Sequence, residues 1–127
     1  MPTKDELKAK VAEAIDQRAQ EIIGVSQHIL DNPEPGYREA GTARFVGEQL
    51  DKLEIPHRDG LALTGIKSWM GAGAPGPTIA VVGELDSMIV PDHPKADPAT
   101  GAAHACGHHC QIGMMLGVAT GLRHSGV

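Results

Sequence analysis

Thr78-Ile79-Ala80-Val81-Val82-Gly83-Glu84-Leu85-Asp86 is the stretch on which the fold turns. Four of its first five residues are β-branched and none of the first six is charged. A continuous apolar run of this kind suits a strand covered on both faces, so 78–83 is expected to form a central strand. Glu84 and Asp86 follow at a spacing of two, which places both carboxylates on one face of an extended chain. They would sit at the carboxyl end of the strand, where open α/β sheets place their ligands.

Upstream, Leu7, Val11, Ile15, Ile22 and Ile29 recur at near-helical spacing among charged and polar residues, which predicts one amphipathic helix from Thr3 to about Leu30. Thr3 and Glu6 have the spacing of a capping box that would fix its start. Asn32-Pro33-Glu34-Pro35-Gly36 stops it, because proline cannot continue the hydrogen-bond ladder. A second helix fits Glu39 to Leu53, with Ala43, Val46, Leu50 and Leu53 on one face. Glu54 to His57 and Thr64 to Trp69 read as short strands separated by Asp59-Gly60 and closed by the Gly/Pro loop 71–77.

Downstream, Pro91, Pro94 and Pro98 predict a loop over Met88 to Ala102. A last helix is expected from near Cys106 to about Leu122, with Gly113, Gly117 and Gly121 packed closely against the sheet. This order of elements favours an α/β architecture over a helical bundle.

At the start of that last helix, Ala103-His104-Ala105-Cys106-Gly107-His108-His109-Cys110 gathers three of the seven histidines and both cysteines. Thiolate and imidazole are borderline-soft donors, so the cluster reads as a metal site. Cys106 and His108 are the candidate metal ligands, with Gly107 letting the backbone turn between them. His104 and His109 could join the ligands, support them or orient substrate. Cys110, one turn after Cys106, reads as a small buried hydrophobe or a redox partner. His28, His57, His93 and His124 stand alone and read as surface or hydrogen-bonded histidines.

Composition bounds the partners. A chain of 127 residues with 41% hydrophobic and 21% charged residues has the make-up of one globular domain. With a single Trp, Tyr and Phe, its core must come from Ala, Val, Ile, Leu and Met. A formal charge of −5 argues against a nucleic acid or an acidic membrane surface as partner. No apolar run reaches the length needed to cross a bilayer, and Met1 to Leu7 lacks the apolar core of a secretion signal. The expected location is cytoplasmic, with both cysteines as thiols.

Three segments carry a resemblance: Gly83-Glu84-Leu85-Asp86-Ser87, then Gly101 to His109 with its Ala-Cys-Gly-His core, then Met114-Met115-Leu116-Gly117-Val118-Ala119. Together with Asn32 to Glu39, they resemble the amidohydrolase branch of the aminoacylase and carboxypeptidase-type zinc peptidases. Hippurate, auxin-conjugate and aminobenzoyl-glutamate hydrolases belong to that branch. The resemblance implies an α/β fold in which 1–127 is the amino-terminal portion of a single three-layer α/β/α catalytic domain, with helices on a mainly parallel sheet. It implies one or two divalent ions, zinc or manganese, held by Cys106 and His108, and it makes Asp86 the catalytic carboxylate that orients a ligand or the metal centre. The substrate would be a small-molecule amide such as an N-acyl amino acid, and the full-length family would be homo-oligomeric.

The pattern departs from that family at three positions. Glu84 stands where relatives carry Asp or His, His109 where many have Asp, and Gln111 where many have His, which points to a subgroup nearer the aminobenzoyl-glutamate type. The family's general-base glutamate, further metal ligands and lid domain are expected beyond Val127, so this chain would hold an incomplete centre. Two other classes compete: a non-catalytic metal-binding or assembly fragment, and a thiol hydrolase in which His108 activates Cys106.

Overall fold

A computed structural model describes residues 1–71 and 73–127; Ala72, in the expected Gly/Pro loop, lies outside the described residues. Four helices, α1 (Lys4–Gln17), α2 (Ala19–Asp31), α3 (Ala40–Lys52) and α4 (His108–Ser125), surround two small sheets. β1 (His57–Leu61) pairs with β2 (Gly65–Ser68), and β3 (Met88–Ile89) pairs with β4 (Ala102–Ala103), both antiparallel.

The expected amino-terminal helix is two helices. The capping box forms, with Thr3 N–H donating to Glu6 Oε2 at 2.7 Å and Glu6 N–H to Thr3 Oγ1 at 3.2 Å. At Arg18 the backbone leaves helical values (φ −116°, ψ 17°) and its N–H turns back to Ile15 O. The break lets both halves lie along α4. There the glycines Gly113, Gly117 and Gly121 meet Ser26, Ile22, and Ile15 with Val11 in turn. These glycines therefore face α1 and α2 and not a sheet, because the helices supply the broad apolar surface that the described strands are too short to offer.

The core joins Val25 and Ile29 of α2, Val46 and Leu50 of α3, Ile55, and Ile112 and Leu116 of α4, with Leu85 and Met115 packed against it. At the far end Arg123 Nε donates to Leu53 O at 2.9 Å and its guanidinium pairs with Glu54, fastening α4 to the end of α3.

Three strand expectations change. Asp59-Gly60 does not separate strands but lies within β1, where Gly60 (φ 70°) sits at the register shift between Arg58 and Leu61. The reversal itself uses Ala62 and Leu63, both at positive φ. The expected loop over 88–102 is closed by the β3–β4 pair and by the Asp97 carboxylate, which accepts from Ala99 N–H, Thr100 N–H and Thr100 Oγ1.

The third change concerns 78–83, which lies outside regular secondary structure. Ile79 and Val82 are exposed, at 82% and 80%. A strand needs a partner for its backbone groups, and among the described residues 78–83 has none. No parallel sheet forms among the described residues. Parallel pairing among the described residues is limited to the bridge between Pro35 and Ser87. Mixed helix with small antiparallel sheets is the observed architecture.

Candidate functional site

Two fastenings hold the segment that carries Glu84 and Asp86. Glu84 N–H donates to Gln111 Oε1 of α4 at 3.2 Å. Ser87 donates its N–H and its hydroxyl to the Glu34 carbonyl, at 2.9 and 2.8 Å. Glu34 is in turn clamped at the start of α3, where its carboxylate accepts from Gly41 N–H (3.0 Å), Thr42 N–H (2.6 Å) and Thr42 Oγ1 (2.7 Å). A carboxylate at a helix amino terminus satisfies orphan N–H groups and complements the helix dipole. The sequence reading assigned Glu34 only to a proline turn, because its partners lie seven and eight residues away.

His108 opens α4 immediately after Gly107, whose positive φ of 91° makes the turn into the helix. Its imidazole lies between the two carboxylates. Nε2 is 2.9 Å from Glu84 Oε2, and Nδ1 is 2.9 Å from Asp86 Oδ1 and from Asp86 O. The structure thus brings together the candidate ligand His108, the candidate catalytic residue Asp86, and Glu84.

Cys106 is exposed. Among the described residues no group of three or more His, Cys, Asp or Glu side chains is arranged to hold a metal ion. The donor chemistry nonetheless fits a divalent ion in kind. An imidazole whose Nδ1 is held by a carboxylate has its tautomer and ring orientation fixed, which is how proteins prepare Nε2 for a metal.

The thiol–imidazole pair of the competing thiol-hydrolase reading, Cys106–His108, is not the one observed. His108 is engaged by carboxylates, and the thiol that meets an imidazole is Cys110, with Sγ 3.4 Å from His109 Nε2. Cys110 is exposed and not buried as expected, because it lies off the Ile112 and Leu116 face that enters the core.

His104 is only 4% exposed, and both of its ring nitrogens are buried without a hydrogen-bond partner; His109 Nδ1 is in the same condition. The two rings are 5.5 Å apart between centroids. Burial, reinforced by the neighbouring His109 and His108, pushes the His104 pKa down to about 4. Burial lowers that of His109 as well.

The chain is 36% identical over 98 residues to the IAA-amino acid hydrolase ILR1-like 6 of Arabidopsis thaliana, covering 75% of this chain and 21% of that protein. It is 32% identical over 121 residues to thermostable carboxypeptidase 2 of Saccharolobus solfataricus, covering 92% of this chain and 30% of the relative.

The chain belongs to the amidohydrolase and carboxypeptidase family.

An N-acyl-L-amino acid amidohydrolase of Geobacillus stearothermophilus is 28% identical over 120 residues, 92% of this chain and 31% of its own. The chain thus spans between a fifth and a third of the length of these family members. No family model and no solved structure matches. No helix among the described residues is long and apolar enough to cross a membrane.

Proposed function

We propose that this chain carries part of the hydrolytic centre of a metal-dependent amidohydrolase that cleaves the amide bond of an N-acyl amino acid or similar small conjugate. The observation that carries this reading is the imidazole of His108 held at 2.9 Å by Asp86 on one side and Glu84 on the other. The printed names of its relatives, hydrolases of amino-acid conjugates and carboxypeptidases, support it.

Cys106 and His108 would hold a divalent ion, zinc or manganese, which when bound polarises an amide carbonyl and makes water a nucleophile near neutral pH. Asp86 accepts from His108 Nδ1–H, which would leave Nε2 to a metal once Glu84 Oε2, 2.9 Å from that nitrogen, moves aside. Glu84, at Nε2, is placed to hold a proton beside the reacting groups. In the whole family domain, 78–83 would be a strand of the central sheet in the three-layer fold, with Glu84 and Asp86 at its carboxyl end. A homo-oligomer of cytoplasmic location is the accompanying expectation.

Calorimetric titration of the chain with zinc and with manganese tests the ligand assignment. Saturable uptake that falls at least tenfold in Cys106→Ala and His108→Ala is expected, and uptake unaffected by both changes overturns it. Release of amine from an N-acetyl amino acid above a Cys106→Ala control tests catalysis. Metal uptake with no turnover would favour the second reading, a non-catalytic metal-binding or assembly fragment.

A further inference from the structure

Glu34 grips two elements at once. Its carboxylate accepts from Gly41 N–H, Thr42 N–H and Thr42 Oγ1 at the start of α3, and its carbonyl accepts from Ser87 N–H and Ser87 Oγ. Ser87 directly follows Asp86. We propose that Glu34 is a positioning residue for Asp86, whose contact with His108 Nδ1 depends on where α3 holds the Glu34 carboxylate. This role rests on the amidohydrolase reading, in which the Asp86–His108 contact orients the imidazole.

The coupling runs along a short, stiff path. Pro33 and Pro35 flank Glu34, and proline fixes its own φ and restricts the residue before it. With its carboxylate held by three bonds and its backbone confined, Glu34 has little freedom to move its carbonyl. Two donors from Ser87 converge on that carbonyl, and Pro35 forms a parallel bridge with Ser87. Asp86 itself rests on the same turn, since a Cβ at Gly36 would lie 3.9 Å from both Asp86 Cβ and Asp86 Oδ2. Oδ2 thus faces the turn while Oδ1 and the Asp86 carbonyl both reach His108 Nδ1 at 2.9 Å.

Other supports of the segment are weaker. Residues 78–86 lie outside regular secondary structure, and their tie to α4 is the 3.2 Å bond from Glu84 N–H to Gln111 Oε1. That is one bond to the end of a flexible side chain, against two from Ser87 to a fixed carbonyl at 2.9 and 2.8 Å. The β3–β4 pair joins Met88 and Ile89 to Ala102 and Ala103 and makes no bond to α3. Releasing the Glu34 carboxylate frees its carbonyl, and a drift of about 1 Å carries the Asp86–His108 contact beyond hydrogen-bond range.

The experiment uses the full 127-residue chain without metal at neutral pH. It follows the His108 Nδ1–H in imidazole ¹H–¹⁵N spectra, assigned with His108→Gln, and reads the rate at which that proton exchanges with water. Glu34→Ala keeps the carbonyl that Ser87 uses and removes only the α3 anchor; it is expected to speed exchange at least tenfold. Glu34→Gln keeps the length and an accepting oxygen, and is expected to restore most of the protection. Thr42→Val takes away only the hydroxyl bond, a milder change expected to act in the same direction. Gly121→Ala, toward the far end of α4 from His108, controls for lost stability alone and is expected to leave the rate near that of the wild type. Exchange as slow in Glu34→Ala and Thr42→Val as in the wild type overturns the positioning role. Equal acceleration in Gly121→Ala also overturns it, since Glu34 would then act on stability only, and so does an unprotected His108 Nδ1–H in the wild-type chain. The hydrolase reading is judged by metal uptake and amine release, so the two can fail separately.

Discussion

Ser87 gives both its backbone N–H and its hydroxyl to one oxygen, the Glu34 carbonyl, at 2.9 and 2.8 Å. The same Glu34 caps α3 with its carboxylate. One residue therefore ties the Asp86 segment to the helical core through two independent sets of bonds. Glu34→Ala removes the acceptor of two helix N–H groups and of Thr42 Oγ1, and is expected to cost about 1–2 kcal/mol in urea unfolding. Ser87→Ala removes only one donor and leaves the backbone bond, so about 1 kcal/mol or less is expected. A Glu34→Ala variant as stable as the wild type would mean that the α3 cap contributes nothing of its own.

Where α1 and α2 cross α4, a Cβ at Gly121 would sit 2.7 Å from Ile15 Cγ1 and 3.0 Å from Val11 Cγ1. Both are branched side chains held between helices, so Gly121→Ala forces the helices apart and is expected to destabilise by about 1–3 kcal/mol. At Gly113 the obstacle is Ser26 Oγ, which can rotate away at the cost of its 3.1 Å bond to His109 O. A loss of about 1 kcal/mol is expected there. Gly24, inside α2, meets nothing within 4 Å, and Gly24→Ala is expected to stabilise by roughly 0.5–1 kcal/mol through helix propensity alone. Thermal unfolding of the three variants checks the order, and a destabilised Gly24→Ala would contradict the packing described.

What the sequence could disclose tracks the range of the interaction. The Thr3–Glu6 box and the α3 span were readable, because caps and apolar periodicity act within a few residues. The neighbourhood of Asp86 and His108 was readable through a motif whose spacing is local on each side of the loop. The break at Arg18, the reversal at Ala62-Leu63 and the Glu34 clamp were not, since each is set by partners elsewhere in the chain or by non-glycine residues at positive φ. The β-branched run 78–83 carries strong strand propensity, but propensity gives no ladder without a neighbouring strand.

That unpaired run has a consequence in solution. Ile79 and Val82 are exposed at 82% and 80%, with Met88 and Ile89 half exposed nearby in the chain. An apolar, β-branched segment with free backbone groups is a template for pairing with another chain. Sedimentation velocity is expected to give an average mass that rises with concentration across the micromolar range, and Ile79→Lys with Val82→Lys is expected to return it toward the monomer. A wild-type chain that stays monomeric throughout would show that the exposed run is not adhesive.

Acid should weaken the fold in a window set by His104. Its ordinary pKa of 6.5 falls to about 4 on folding, first through burial and then through the neighbouring His109 and His108. As pH drops below about 6.5 the unfolded chain takes up a proton that the folded chain refuses, so stability declines until about pH 4, where both states carry it. His109, lowered by burial, acts in the same direction. Asp31, held low mainly by Lys95, and Asp97, held low by the Thr100 backbone N–H, behave as depressed carboxylates. Their stabilisation is present above the unfolded value of 3.8 and is lost below it, so they add little to the higher window. Urea midpoints measured from about pH 7 to pH 4 should fall steadily, and His104→Asn, which cannot take up the proton in either state, should flatten the decline. A profile of equal slope in the variant would assign the acid sensitivity to other groups and leave the burial of His104 without energetic consequence.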